Sequence, residues 1–156
     1  MKYTRVNLLL LSFAFAGLTA CGGGGTETDQ TAAAPQSMVK KENVDPMSNP
    51  GIGPVAELIL PADIDADMAK TGEEIYTLKC LACHKPTEKF IGPAPKGVLE
   101  RRNPAWVMNM ILNPDQMVKE DPIAKKLLME YNGSPMANQS LTEDEARAIV
   151  EYFRTL

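Results

Sequence analysis

Aromatic side chains are scarce: Phe, Trp and Tyr together make up 6% of the 156 residues. A core packed from them alone would be thin, and a bound prosthetic group would help to fill it. Histidine occurs once and cysteine three times, so a metal held by two imidazoles is out of reach. Basic residues do not exceed acidic ones, the formal net charge being -4, and nothing in that balance suggests nucleic-acid binding. No internal repeat is visible. The apolar run near the start is too short to cross a bilayer of about 30 Å as a helix. A chain of this length holds one modest domain plus appendages.

The first twenty residues read as an export signal, with positive charge on Lys2 and Arg5 and an apolar stretch from Val6 to Gly17. The stretch ends in Leu18-Thr19-Ala20-Cys21. This resembles the bacterial lipoprotein signal, in which the Cys becomes the acylated first residue of the mature protein. Ordinary cleavage and an uncleaved anchor are the alternatives. The resemblance implies a signal peptide over 1–20, lipidation at Cys21, and a cell-envelope location with the folded part outside the cytoplasm, on the periplasmic side. Several acyl chains anchor stably where one is marginal. Gly22 to Gly25, and the Thr, Ala, Gln, Ser and Pro that follow, show neither helical nor strand period. Residues 21–61 therefore read as a flexible linker and 62–156 as the folded unit.

Within that unit the chemistry is concentrated at Cys80-Leu81-Ala82-Cys83-His84. Two thiols three positions apart can add to the two vinyl groups of a haem, and a His directly after them is placed to ligate the iron from one face. The pattern predicts one covalently bound haem c on Cys80 and Cys83, with His84 as iron ligand. Export fits this, because the haem is attached outside the cytoplasm. Two other readings compete. A zinc site needs four ligands, and with Cys21 acylated a carboxylate would have to complete the set. A structural disulfide or a thioredoxin-type dithiol uses the same Cys spacing and would carry no haem.

Gly72, Tyr76 and Cys80 follow one another at intervals of four, which places them on one helix face. Near the C-terminus Thr142 and Glu145 form a capping box, and Ala146, Ile149, Val150 and Phe153 make one apolar stripe. Together with the haem motif, these features resemble the class I cytochromes c over most of residues 67–156. The resemblance implies an all-α fold of three to five helices wrapped around one covalently attached haem. In that fold Gly72 lets the last helix cross closely, with Ile149, Tyr152 and Phe153 as packing partners. It also implies that Pro93, nine residues after His84, accepts a hydrogen bond from the ligating imidazole and fixes its orientation.

Asn103-Pro104 reads as an N-cap and first-turn Pro, opening a helix that carries Trp106, Val107, Met110 and Ile111 and stops at Asn113-Pro114. Trp106 and Arg101 are candidates to contact the haem propionates. Plain core packing stands beside that reading for Trp106, and Arg102 stands beside Arg101. A less regular pattern over 122–131 predicts a further scaffold helix.

For the sixth iron position, the missing second His leaves Met, Lys, Asn or an open site. The family uses a Met in a loop just before the last helix, which here points to Met136 in a turn-rich stretch. Met117, in a segment read as loop, is the runner-up; Met108, Met110 and Met129 fall on predicted helices, where packing is their role. His/Met ligation leaves no vacant site and favours ferrous iron. The expected function is therefore that of a non-enzymatic, monomeric single-electron carrier in a bacterial respiratory chain. Its expected partners are a terminal reductase, an oxidase or a quinol-oxidising complex, and the lipid membrane through Cys21. Residues 92–114 and the Met136 loop are similar to small cytochromes encoded alongside bacterial nitrous-oxide reductases. The alternative function is a haem-based small-ligand sensor or peroxidase-like enzyme with an open or displaceable sixth position. Finally, Lys79 to Arg102 holds six basic and two acidic residues, against six and thirteen in the rest of 63–156. That imbalance predicts a positive end near the haem segment, suited to steering an acidic partner; side chains solvated in several directions are the bland reading.

Overall fold

The computed structural model describes residues 44–156, and the predicted signal peptide and Cys21 lie outside them. Among the described residues all regular structure is helical: α1 (Ala66–Lys79), the single turn α2 (Val98–Arg101), α3 (Pro104–Leu112), α4 (Pro114–Glu120), α5 (Pro122–Glu130) and α6 (Glu143–Phe153). The all-α expectation holds, with six helical segments in place of three to five. One addition has a plain cause. Pro114 ends α3, but its fixed φ and missing N–H also suit the first turn of a helix, so α4 starts there and carries Met117. Met117 is thus helical, not in a loop.

The helix starts follow their local chemistry. Asp65 accepts the Met68 N–H at 2.9 Å and opens α1, with Asp67 in the first turn near the positive end of the helix dipole. Asn103 accepts the Ala105 N–H at 2.8 Å ahead of Pro104. Thr142 and Glu145 cap α6 reciprocally.

α1 and α6 cross closely. A Cβ added to Gly72 would stand 1.9 Å from the Ala148 carbonyl oxygen, so no side chain fits at that point. One turn further on, the Tyr76 ring meets Tyr152 at 5.3 Å and Phe153 at 5.7 Å between centroids. Such pairs contribute roughly 0.5–1.5 kcal/mol each beyond area burial. α3 brings Trp106, Val107, Met108 and Ile111 to the same core. The start of α1 is tied to the end of α6 through the buried Glu151, which accepts the Asp65 N–H at 2.9 Å and pairs with Arg147 at 2.6 Å and Arg154 at 2.5 Å. Burial alone would raise this carboxyl's pKa; the Asp65 N–H and the two arginines outweigh it and hold it below the ordinary range.

Residues 44–61 depart most from expectation. Their composition reads as linker, yet they form a strap packed on the domain. Asn109, 1% exposed, accepts the Val55 N–H at 3.0 Å and donates to the carbonyls of Pro50 and Val55 at 2.9 and 2.8 Å. Asn49 donates to Asp121 at 2.6 Å, and the Ile52 N–H points at the Met117 sulfur at 3.0 Å. Gly51, at φ +77°, lies so close that a Cβ would sit 2.9 Å from the Met117 sulfur and 3.0 Å from Trp106 Cδ1. The folded unit therefore begins well before residue 62. Its strap satisfies backbone groups through buried side chains rather than a helix or ladder, a device with no sequence period.

Candidate functional site

The end of α1 sets the site. The N–H groups of Cys80 and Leu81 return to the Tyr76 carbonyl at 2.8 and 3.0 Å, and those of Cys83 and His84 return to the Cys80 carbonyl at 3.0 and 2.9 Å. The five-residue motif is thereby wound into a compact turn. The Tyr76 hydroxyl donates to the His84 carbonyl at 2.5 Å. Burial, then the neighbouring Cys80 and Tyr152, push that hydroxyl's pKa far up, so it stays a donor.

From the other side, the Gly92 N–H donates to the Cys83 carbonyl at 2.9 Å, bringing the next residue's carbonyl to the imidazole. Pro93 O lies 2.8 Å from His84 Nδ1, so Nδ1–H donates and Nε2 is left free. A Cβ on Gly92 would stand 2.3 Å from His84 Cε1; the glycine is the floor on which the ring rests.

Cys80, Cys83, His84, Pro93, Arg101, Trp106 and Met136 all line one cavity of about 700 Å³, within the roughly 300–1,000 Å³ of small-molecule sites. Val107, Ile111, Leu127 and Phe153 supply apolar wall. Met117 does not line it. Trp106 presents its ring, because its N–H is committed to Asp121 Oδ1 at 3.0 Å and is not free for a haem carboxylate. Arg102 sits over that ring, 5.6 Å from its centroid. Arg101 is exposed and donates to the Lys96 and Ala94 carbonyls at 2.9 and 3.4 Å.

Sequence reasoning missed Asp121, which Trp106, Asn49 and the Ala124 N–H all address. An Asp before Pro122 is a helix-start signal, but its long-range partners leave no local trace.

The donor set decides among the chemistries. The Cys80 thiol is pushed up to about 11, first by burial and then by Cys83, whereas a redox dithiol needs a lowered value at a helix N-terminus or beside a cation. No cluster of three or more His, Cys, Asp or Glu among the described residues could hold a metal ion. Two thiols, an oriented imidazole and a thioether around a largely apolar cavity fit a haem c.

The family profile for cytochrome c matches residues 69–156. The chain belongs to the cytochrome c family. Family members bind one covalently attached haem c, and Cys80 and Cys83 stand in its attachment motif. A cytochrome c from Rhodothermus marinus is 45% identical over 66% of this chain and 88% of its own, with a TM-score of 0.63. An engineered form of that cytochrome, bound to a carbene intermediate, is 45% identical over the same shares at a TM-score of 0.61. The cytochrome c domain of a Pseudomonas putida protein is 32% identical over 54% of this chain and 85% of its own, at 0.50. No curated protein matches.

Proposed function

We propose that this chain is a lipid-anchored single-electron carrier of a bacterial respiratory chain, in which His84 and Met136 would hold the haem iron. The observation that carries the reading is that His84, its ring fixed by Pro93, and Met136, from the loop before α6, line the same cavity. Haem c supplies a one-electron ferric/ferrous couple there. The residues hold its surroundings constant: Gly92 and Pro93 fix the imidazole, and the aliphatic wall limits water. Lys79, Lys89 and Lys96 at the cavity form a cationic edge. Lys85 and Lys89 are held over the rings of Phe90 and Tyr131 at 5.2 and 4.5 Å, which supports docking of an acidic redox partner. No helix of the described residues is long and apolar enough to cross a membrane; attachment is assigned to Cys21, on the periplasmic side.

Anaerobic mixing of the reduced protein with candidate acceptors, a nitrous-oxide reductase and a terminal oxidase among them, tests this. Haem oxidation within the mixing time is expected, slowed several-fold at low salt by reversing Lys85 and Lys89 to Glu. Cys21→Ser should release a soluble, haem-loaded protein. The second reading, in which Met136 yields to a small ligand, draws on the engineered Rhodothermus relative bound to a carbene intermediate. Rapid carbon monoxide binding to the reduced protein, without electron delivery to any acceptor, would replace the carrier reading with it.

A further inference from the structure

Asp121 is 1% exposed and is absent from the ion pairs among the described residues. Every group that addresses it is a neutral donor: Trp106 Nε1 and the Ala124 N–H at Oδ1, at 3.0 and 2.7 Å, and Asn49 Nδ2 at Oδ2, at 2.6 Å. Both oxygens accept and neither donates, the hydrogen-bonding pattern of a carboxylate, and none of the three donors is a cation. Two of its donors, Trp106 and Ala124, belong to residues that themselves line the cavity. Asp121 therefore stands directly behind the cavity wall. The third donor comes from the strap, which closes over this spot and shuts out water.

We infer that Asp121 is a positioning and potential-setting residue: a buried, uncompensated negative charge behind the Trp106 wall that biases the haem site toward its oxidised state. The inference rests on the proposed one-electron function. Its physics is direct. Oxidation adds one positive charge to the site, and a nearby anion stabilises that state. At an effective dielectric of about 20, a unit charge about 10 Å away shifts such an equilibrium on the order of tenfold, and tenfold is 59 mV for a one-electron couple. An exposed carboxylate at similar range is screened by water and salt and does far less.

The test is a redox titration of the full-length, haem-loaded protein and three variants, each followed by its visible spectrum. Asp121→Asn keeps the shape and removes the charge; it should raise the potential by roughly the tenfold equivalent while the weak sulfur-to-iron band at the red end of the oxidised spectrum persists. Asp115→Asn, on the exposed side of α4, should leave the potential unchanged. Asn49→Lys places a cation at Oδ2 without touching Asp121, should raise the potential in the same direction, and decides the matter if Asp121→Asn does not fold. An unchanged potential in Asp121→Asn, or in Asn49→Lys where that variant decides, overturns the inference. A shift accompanied by loss of the sulfur-to-iron band also overturns it, because the change would then act through ligation. A parent protein with covalent haem but no reversible one-electron couple overturns the proposed function itself, and the inference with it.

Discussion

Residues 83–96 and 131–141 both contribute to the cavity, but only the first is bonded deeply into the fold. There the His84 carbonyl accepts from the Tyr76 hydroxyl, the Cys83 carbonyl accepts from the Gly92 N–H, and the imidazole Nδ1–H donates to the Pro93 carbonyl. The Met136 loop is entered through Asn132 and Gly133 at φ 58° and 71° and left through Ser140 at φ 53°. A non-glycine residue held there costs of order 1–3 kcal/mol unless its surroundings impose it. The loop's side-chain bond to a distant element is a long one, Asn138 Nδ2 to the Leu112 carbonyl at 3.3 Å. The difference teaches a division of labour. The imidazole side is positioned by the polypeptide in advance, whereas the Met136 loop is held to the rest of the fold by little more than the long Asn138 bond.

The sharpest way to break that contrast is Gly92→Ala. The new methyl meets the His84 ring at 2.3 Å, and overpacking of this kind costs about 1–3 kcal/mol or more. Loss of covalent haem or of His84 ligation is expected in the visible spectrum; a normal spectrum with full haem loading would show that this loop yields as readily as the other. The two methionines separate next. Met117, 0% exposed, should cost about 2–5 kcal/mol on replacement by Ala yet keep the sulfur-to-iron band. Met136→Ala should abolish that band and lower the potential. A Met117 variant that alone loses the band would reverse the ligand assignment.

Tyr76→Phe leaves the His84 carbonyl without its donor and should cost about 1 kcal/mol in urea unfolding. The Glu151 knot, remote from both loops, gives a pH control. Its folded pKa is lowered, so the unfolded chain binds the extra proton. Its contribution is whole above the unfolded value of about 4.3 and is lost as pH falls through the folded one. Glu151→Gln should flatten that acid limb in thermal melts, and an unaltered acid limb would remove Glu151 from the account. Asn138→Ala, acting on an exposed bond, should cost under about 0.5 kcal/mol; a loss equal to that of Tyr76→Phe would mean the Met136 loop is tied down after all.

What could be read beforehand divides along the same physical line. The attachment motif, the Gly72–Tyr76 spacing, the Thr142 box and the Asn103-Pro104 start are local patterns, and the structure has each where its chemistry puts it. Met136 and Pro93 are legible only through the family resemblance, and both line the cavity. The strap is not legible in the sequence, because proline, glycine and polar residues without period look alike whether free or clasped. Its clasp uses Asn109 and Asp121, 54 to 72 positions away. Met117 reads as loop because Pro114, which signals the end of one helix, equally suits the first turn of the next.

The α1–α6 crossing also sets an order of events in folding. Gly72 and the Tyr76 ring pack against Ala148, Tyr152 and Phe153, on the helix that every other one separates from α1 in sequence among the described residues. α1, which leads into Cys80 and Cys83, therefore has no such surface to pack on until α6 has formed. Contacts this far apart in sequence form late. The crossing thus defers the firm seating of the attachment turn until α6 has folded against α1.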